Sequence, residues 1–166
     1  YVLTSGTNTI TLGAAGQSVD STADGGDTID FAGLIATGTV QTDGGDTIEL
    51  GTGSDISGVD AESGGAGSAF NAGTLALDNN ASVTMTVEQH NAFTTITAGG
   101  TEQITFSNAG TVAGDSDVET YVLASGTNAF TLSAAGQSVD ATADGGDTID
   151  FAGLIATGTV QTDGGD

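Results

Sequence analysis

Asp24-Gly25-Gly26-Asp27-Thr28-Ile29-Asp30-Phe31 is the stretch on which the fold turns, because the chain keeps coming back to it. Nineteen residues later it reads Asp43-Gly44-Gly45-Asp46-Thr47-Ile48-Glu49-Leu50, and Asp144 to Phe151 repeats it letter for letter. A fourth copy opens at Asp163-Gly164-Gly165-Asp166. In each, a glycine turn leads into a short strand whose apolar residues alternate with polar ones. A turn and strand that recur at a fixed interval describe one supersecondary unit stacked on itself.

Outward from this stretch the repetition has a second, longer period. Tyr1 to Asp46 returns as Tyr121 to Asp166 with five differences, Thr4/Ala124, Thr9/Ala129, Ile10/Phe130, Gly13/Ser133 and Ser21/Ala141, so the long period is 120 residues. Residues 1–120 are read as one complete repeat unit and residues 121–166 as the start of the next, continuous with it. The expectation is that both belong to a longer tandem array.

Strand starts inside the unit are Thr9-Ile10-Thr11-Leu12, Thr28-Ile29-Asp30-Phe31, Thr47-Ile48-Glu49-Leu50, Thr74-Leu75-Ala76-Leu77 and Gln103-Ile104-Thr105-Phe106, followed by Ala129-Phe130-Thr131-Leu132. They lie 19, 19, 27, 29 and 26 residues apart. Each carries two apolar side chains on one face, as a half-buried strand requires. A weaker β-branched point follows at Val19, Val40, Val59, Val83 and Val112. Strand, corner, strand, corner is one coil of a solenoid, so the fold class is all-β, a parallel β-solenoid of the β-helix or β-roll kind with about five coils per 120-residue repeat. Thr94-Thr95-Ile96-Thr97 offers a sixth, Leu34-Ile35 a third face, and no segment shows sustained helical periodicity. The alternative is a string of Ig-like β-sandwiches, for which 120 residues is a comfortable length; that leaves the 19-residue return of the turn unexplained.

Charge sets the function classes. The chain has no Lys or Arg and 22 carboxylates against one histidine. Phosphate binding needs basic groups, which excludes nucleic acid as a partner, and no apolar run approaches the ~20 residues of a membrane span. Catalytic signals are equally thin. No nucleophile elbow or zinc-type histidine pair is present, and a polysaccharide cleft has few aromatic platforms to draw on, since Phe31, Phe106, Phe130 and Phe151 fall at inward positions. His90, flanked by Glu88, Gln89 and Asn91, reads as an exposed loop residue. A non-enzyme is expected.

Stacked coils lie ~4.8 Å apart, which would put Asp24 over Asp43 and Asp27 over Asp46. At ~5 Å and an effective dielectric of about 20 two carboxylates repel by roughly 3 kcal/mol, so a cation between them is favoured. Ca²⁺ takes six to eight oxygen ligands in flexible geometry, which suits carboxylates and turn carbonyls. The candidate metal ligands are Asp24, Asp27, Asp43 and Asp46, and again Asp144, Asp147, Asp163 and Asp166. A charge roughly every 1.5 Å of rod approaches the ~1.7 Å of duplex DNA and condenses counterions in any case.

Gly25-Gly26-Asp27-Thr28-Ile29, Gly44-Gly45-Asp46-Thr47-Ile48 and Gly145-Gly146-Asp147-Thr148-Ile149 resemble the second half of the hemolysin-type RTX nonapeptide, Gly-x-Asp-x-apolar. The resemblance implies a calcium-binding β-roll with Asp27, Asp46 and Asp147 as ligands. The chain departs from that pattern in lacking the preceding Gly-Gly-x and in its longer period. The acidic, Thr- and Gly-rich tandem repeats also resemble those of large secreted bacterial surface, adhesin and matrix proteins. The functional expectation is a structural segment at the bacterial cell surface, forming a filament, surface layer or adhesive stalk. Its partners would be copies of itself, end to end and laterally through cations. The alternative is a calcium-dependent adhesion module with specificity in Gly51 to Ala72.

Overall fold

A computed structural model describes residues 1–62 and 64–166. In chain order the elements are β1 (Thr9–Thr11), β2 (Val19–Asp20), β3 (Thr28–Asp30), β4 (Thr39–Gln41), β5 (Thr47–Leu50), β6 (Asp60–Ala61), β7 (Thr74–Leu77) and β8 (Ser82–Met85). A single short helix, α1 (Val87–Ala92), follows. Beyond it come β9 (Thr95–Thr97), β10 (Gln103–Phe106), β11 (Thr111–Ala113), β12 (Thr120–Val122), β13 (Ala129–Thr131), β14 (Ser138–Ala141), β15 (Thr148–Asp150) and β16 (Val160–Thr162). Every strand-to-strand pairing among them is parallel, and the chain winds as a β-solenoid of about eight turns. That topology excludes the sandwich alternative, whose sheets are antiparallel.

Three columns of stacked strands run along the solenoid. The first is β1-β3-β5-β7-β9, in the register Thr9, Thr28, Thr47, Thr74, Thr95. The second begins as β2-β4-β6, passes through α1 and resumes as β11-β13-β15. Helix α1 is seated in that column by its own side chains: Thr86 Oγ1 donates to Gly67 O and Gln89 Nε2 to Ile56 O below, while Asn91 Nδ2 donates to Thr111 O above. The third column starts as single bridges, Ile35 to Asp55 to Thr84, and widens into β8-β10-β12-β14-β16. Leu34-Ile35 thus does open a third face. Thr95–Thr97 is a strand as well and is the rung that stacks on Thr74–Leu77, whereas Gln103–Phe106, expected in that series, lies in the third column on Ser82–Met85.

The inward residue of each rung stacks on its equivalents, and Ile29, Phe31, Ile48, Leu50, Leu75 and Ile104 are fully buried along one continuous core. Glycines sit where two turns touch. A Cβ on Gly25 would lie 2.9 Å from the Cα of Gly45, and one on Gly145 would lie 2.6 Å from the Cα of Gly165. Only a residue without a side chain lets successive Asp-Gly-Gly-Asp turns nest at this spacing.

The helix is a local capping decision. Thr86 and Gln89 form a reciprocal capping box, in which Gln89 N donates to Thr86 Oγ1 and Thr86 N to Gln89 Oε1. That arrangement satisfies two otherwise orphaned backbone donors and starts a helix without help from periodicity.

The repeated block does not return to the same columns. In its first appearance Val2, β2 and β4 lie in the second column and β1 and β3 in the first. In its second, the equivalents β12, β14 and β16 lie in the third column, and β13 and β15 in the second. One 120-residue period therefore moves the block one column round the axis. The joint is an ordinary rung, since β12 of the second block pairs with β10 of the first unit in continuous register.

Candidate functional site

The Asp-Gly-Gly-Asp turns stack as the 19-residue spacing requires, and the stacking is made by the acids themselves. Asp27 N donates to Asp46 Oδ1 at 3.0 Å, and Asn8 N donates to Asp27 Oδ1 at 2.8 Å. In the second block Asn128 N donates to Asp147 Oδ1 at 2.8 Å and Asp147 N to Asp166 Oδ1 at 2.9 Å. Each carboxylate thus closes the backbone donor that a corner leaves free on the coil before it. Charge-assisted hydrogen bonds of this kind are among the stronger ones, and a buried N–H left open is costly.

The remaining candidates divide by role. Asp24 accepts Gly6 N on both oxygens, at 3.1 and 2.9 Å, and Asp144 accepts Gly126 N at 2.8 Å. Asp43 and Asp163 turn back on their own loops, accepting Gly45 N and Gly165 N, each at 2.9 Å. Asp46 is the most engaged of the set: its Oδ2 also accepts Asp43 N at 3.0 Å and Ser21 Oγ at 2.7 Å. Asp27, Asp46 and Asp147 are buried, whereas Asp24, Asp43 and Asp163 are half-buried and Asp144 and Asp166 exposed. Asp27 Oδ2 is the one buried side-chain oxygen without a hydrogen-bond partner among the described residues.

These contacts bear on the fit of a cation. Among the described residues no group of three or more His, Cys, Asp or Glu side chains is placed to hold a metal ion. Most carboxylate oxygens in the turns already accept backbone N–H groups, and Asp27 Oδ2 is the buried one that does not. The structure brings Asp27 to Asp46 and Asp147 to Asp166, and keeps the two blocks on different columns.

The same device recurs beyond the repeated turn, at residues the spacing argument passed over. Asn80 N donates to Glu102 Oε1 at 2.8 Å, Glu102 N to Glu119 Oε2 at 2.8 Å, and Thr42 N to Glu62 Oε1 at 2.7 Å. A polar acceptor lying about one coil after an unpaired corner N–H was the sequence signal available. On the outer side of the first column Asp30 stands beside Glu49 in register. Partial burial first, and then the carboxylates of Asp30 and Asp78, hold Glu49 above the usual carboxylate range.

His90 corrects the expectation of an exposed loop residue. It lies in α1 at 4% exposure, edge-on to Phe106 and to Tyr121 with ring centroids 5.4 and 5.7 Å apart. Tyr121 Oη accepts Asp115 N at 2.8 Å and faces His90 Nε2 at 3.4 Å, while His90 Nδ1 faces Asn91 Oδ1 at 3.4 Å. The network assigns the proton to Nδ1, with the phenol donating to Nε2. Burial holds the imidazole below its usual pKa, against the pull of Asn91 and Asp115, and burial likewise pushes the Tyr121 phenol well up.

Among the described residues no helix is long and apolar enough to cross a membrane. No protein-family model matches the chain, and neither a curated protein nor a solved structure is found similar to it.

Proposed function

We propose that the chain is a non-enzymatic structural segment of a long extracellular tandem-repeat protein of a bacterial surface. Its coils stack end to end with copies of the same unit to build a filament, surface layer or adhesive stalk. The observation that carries this reading is the joint: β12 of the second block continues the sheet of β10 with no linker and no change of register. A unit whose successor adds on as one more rung lengthens without a seam, as quasi-one-dimensional repeat folds do.

Calcium enters this proposal as a counterion and bridging ion. The half-buried and exposed carboxylates of Asp24, Asp43, Asp144 and Asp163 line the turns of a chain with net charge −22. Divalent cations collected along such rows lower the self-repulsion of the rod and join neighbouring rods laterally.

Electron microscopy of a protein carrying several tandem units tests the reading. A uniform rod advancing ~4.8 Å per rung is expected, and well-separated beads would sink it. Thermal unfolding at low ionic strength, with Ca²⁺ and with chelator, tests the ion: Ca²⁺ should raise the midpoint, and a midpoint indifferent to chelation removes calcium from the proposal.

A further inference from the structure

The shift of columns leaves a step. The first column ends at β9, which pairs with β7 and has no strand on its other side among the described residues. The chain then runs from β10 in the third column to β11 in the second and returns to the third at β12, passing over the first. A cavity of about 190 Å³ occupies the place where the next rung would lie. It is bounded by Thr94 and Ile96 of the β9 edge, by Gly114 and Asp115 of the overlying loop, and by His90 and Asn91 of α1.

The edge bounding this cavity is ready to pair. Up the column, Thr28 N donates to Asn8 O, Thr47 N to Asp27 O, Thr74 N to Asp46 O and Thr95 N to Gly73 O. By the same rule the acceptor for a further strand is Thr94 O, which receives no hydrogen bond among the described residues. The alternation of a parallel ladder also leaves the peptide groups of Ile96 facing the step. Charge selects the occupant. Asp115 Oδ1 accepts Asp117 N, so the carboxylate is fixed at the mouth of the cavity, and the His90 imidazole beside it is held neutral. The chain has no Lys or Arg of its own to offer, which makes a second copy a poor match.

We propose that this step is a docking site for an extended segment of another protein, added to β9 as a parallel strand with a Lys or Arg side chain directed to Asp115. Main-chain hydrogen bonds would supply affinity and the single cationic contact would supply choice, which is how strand addition divides the two. The site lies on the side of the rod, so it decorates a filament without interrupting its stacking.

The probe is a short fluorescein-labelled peptide that alternates valine and threonine and ends in lysine, with a glutamate-ended twin as control. Fluorescence anisotropy should show the lysine peptide bound and the glutamate peptide not. Asp115→Asn keeps the acceptor for Asp117 N and should weaken binding about fivefold, while Asp20→Asn, equal in charge change, remote and keeping the acceptor for Thr22 N, should leave it unaltered. Amide hydrogen exchange needs no variant, and the peptide should slow Ile96 and Ala98. Equal weakening by both variants reduces the effect to general charge attraction and overturns the proposal. So would binding of the glutamate peptide, self-association through the step, or unchanged exchange at Ile96.

Discussion

Two stretches of this molecule have nearly the same sequence and different surroundings. Tyr1 is 63% exposed and Tyr121 not at all, whereas Phe31 is fully buried and Phe151 is 41% exposed. The inward position expected for Phe151 is therefore kept in register but not in burial. What remains constant is local. Asp30 Oδ1 accepts Ala32 N at 2.7 Å and Asp150 Oδ1 accepts Ala152 N at 2.8 Å, with both alanines at positive φ, 49° and 51°. Turns come from the block itself and burial comes from the rungs above and below, the division expected when each unit contacts only its neighbours.

The largest effect that would break this comparison is a core truncation. Phe31→Ala should cost about 3–5 kcal/mol, the range for a buried phenylalanine, and Phe151→Ala less than that in the 166-residue chain but as much where a further tandem unit covers it. Denaturant unfolding followed by circular dichroism measures both. Equal losses within that chain would mean that the two blocks share more than local geometry.

Next in size is the acid ladder. Asp46→Ala strands the buried Asp27 N, also removes the acceptor for Asp43 N, and should destabilise by about 2–3 kcal/mol. Asp147→Ala, which removes the acceptor for Asn128 N and the Asn128 amide, should also destabilise, by about 1–3 kcal/mol. If Asp46→Ala were neutral, the carboxylate would be a solvated turn residue and not a structural acceptor.

The smallest effect sharpens the comparison by pH, because His90 touches Tyr121 and has no counterpart at Tyr1, whose hydroxyl instead accepts Gln17 Nε2. Burial lowers the folded-state pKa of His90 below its unfolded value, so the unfolded chain takes up the proton first as pH falls. The contribution is fully present above about pH 6.5 and is lost below it, at up to about 1.4 kcal/mol per pH unit, until the folded value is reached. Asp115 is the charged group facing the ring and limits the range. Melting temperatures of the parent and His90→Gln at about pH 7.5 and about pH 5.5 should diverge less at the lower value, and parallel curves would place His90 outside the titrating set.

How much was legible follows from range. The rungs were readable because Thr28-Ile29-Asp30-Phe31 and its kin announce strand and turn within eight letters, and the 19-residue repetition supplied register for those at 9, 28 and 47, but not for Gln103–Phe106, which stacks on Ser82–Met85 in another column. Helix α1 was not, since six residues make too few turns for periodicity, although Thr86-Val87-Glu88-Gln89 carries the capping signature. The stacking of Asp27 on Asp46 was readable. That one carboxylate serves the other's backbone was not, because like charges at fixed spacing suggest repulsion until the unpaired corner N–H is counted. The burial of His90 depends on Phe106 and Tyr121, which arrive from later coils.

The one-column advance of the repeated block reaches beyond a single molecule. Two identical acid rows on the same rod look out in different directions, so rods held together through such rows are gripped from several sides at successive heights. Cation bridges of the kind proposed would then join a rod to neighbours on more than one side, where rows all facing one way would join it on one side alone.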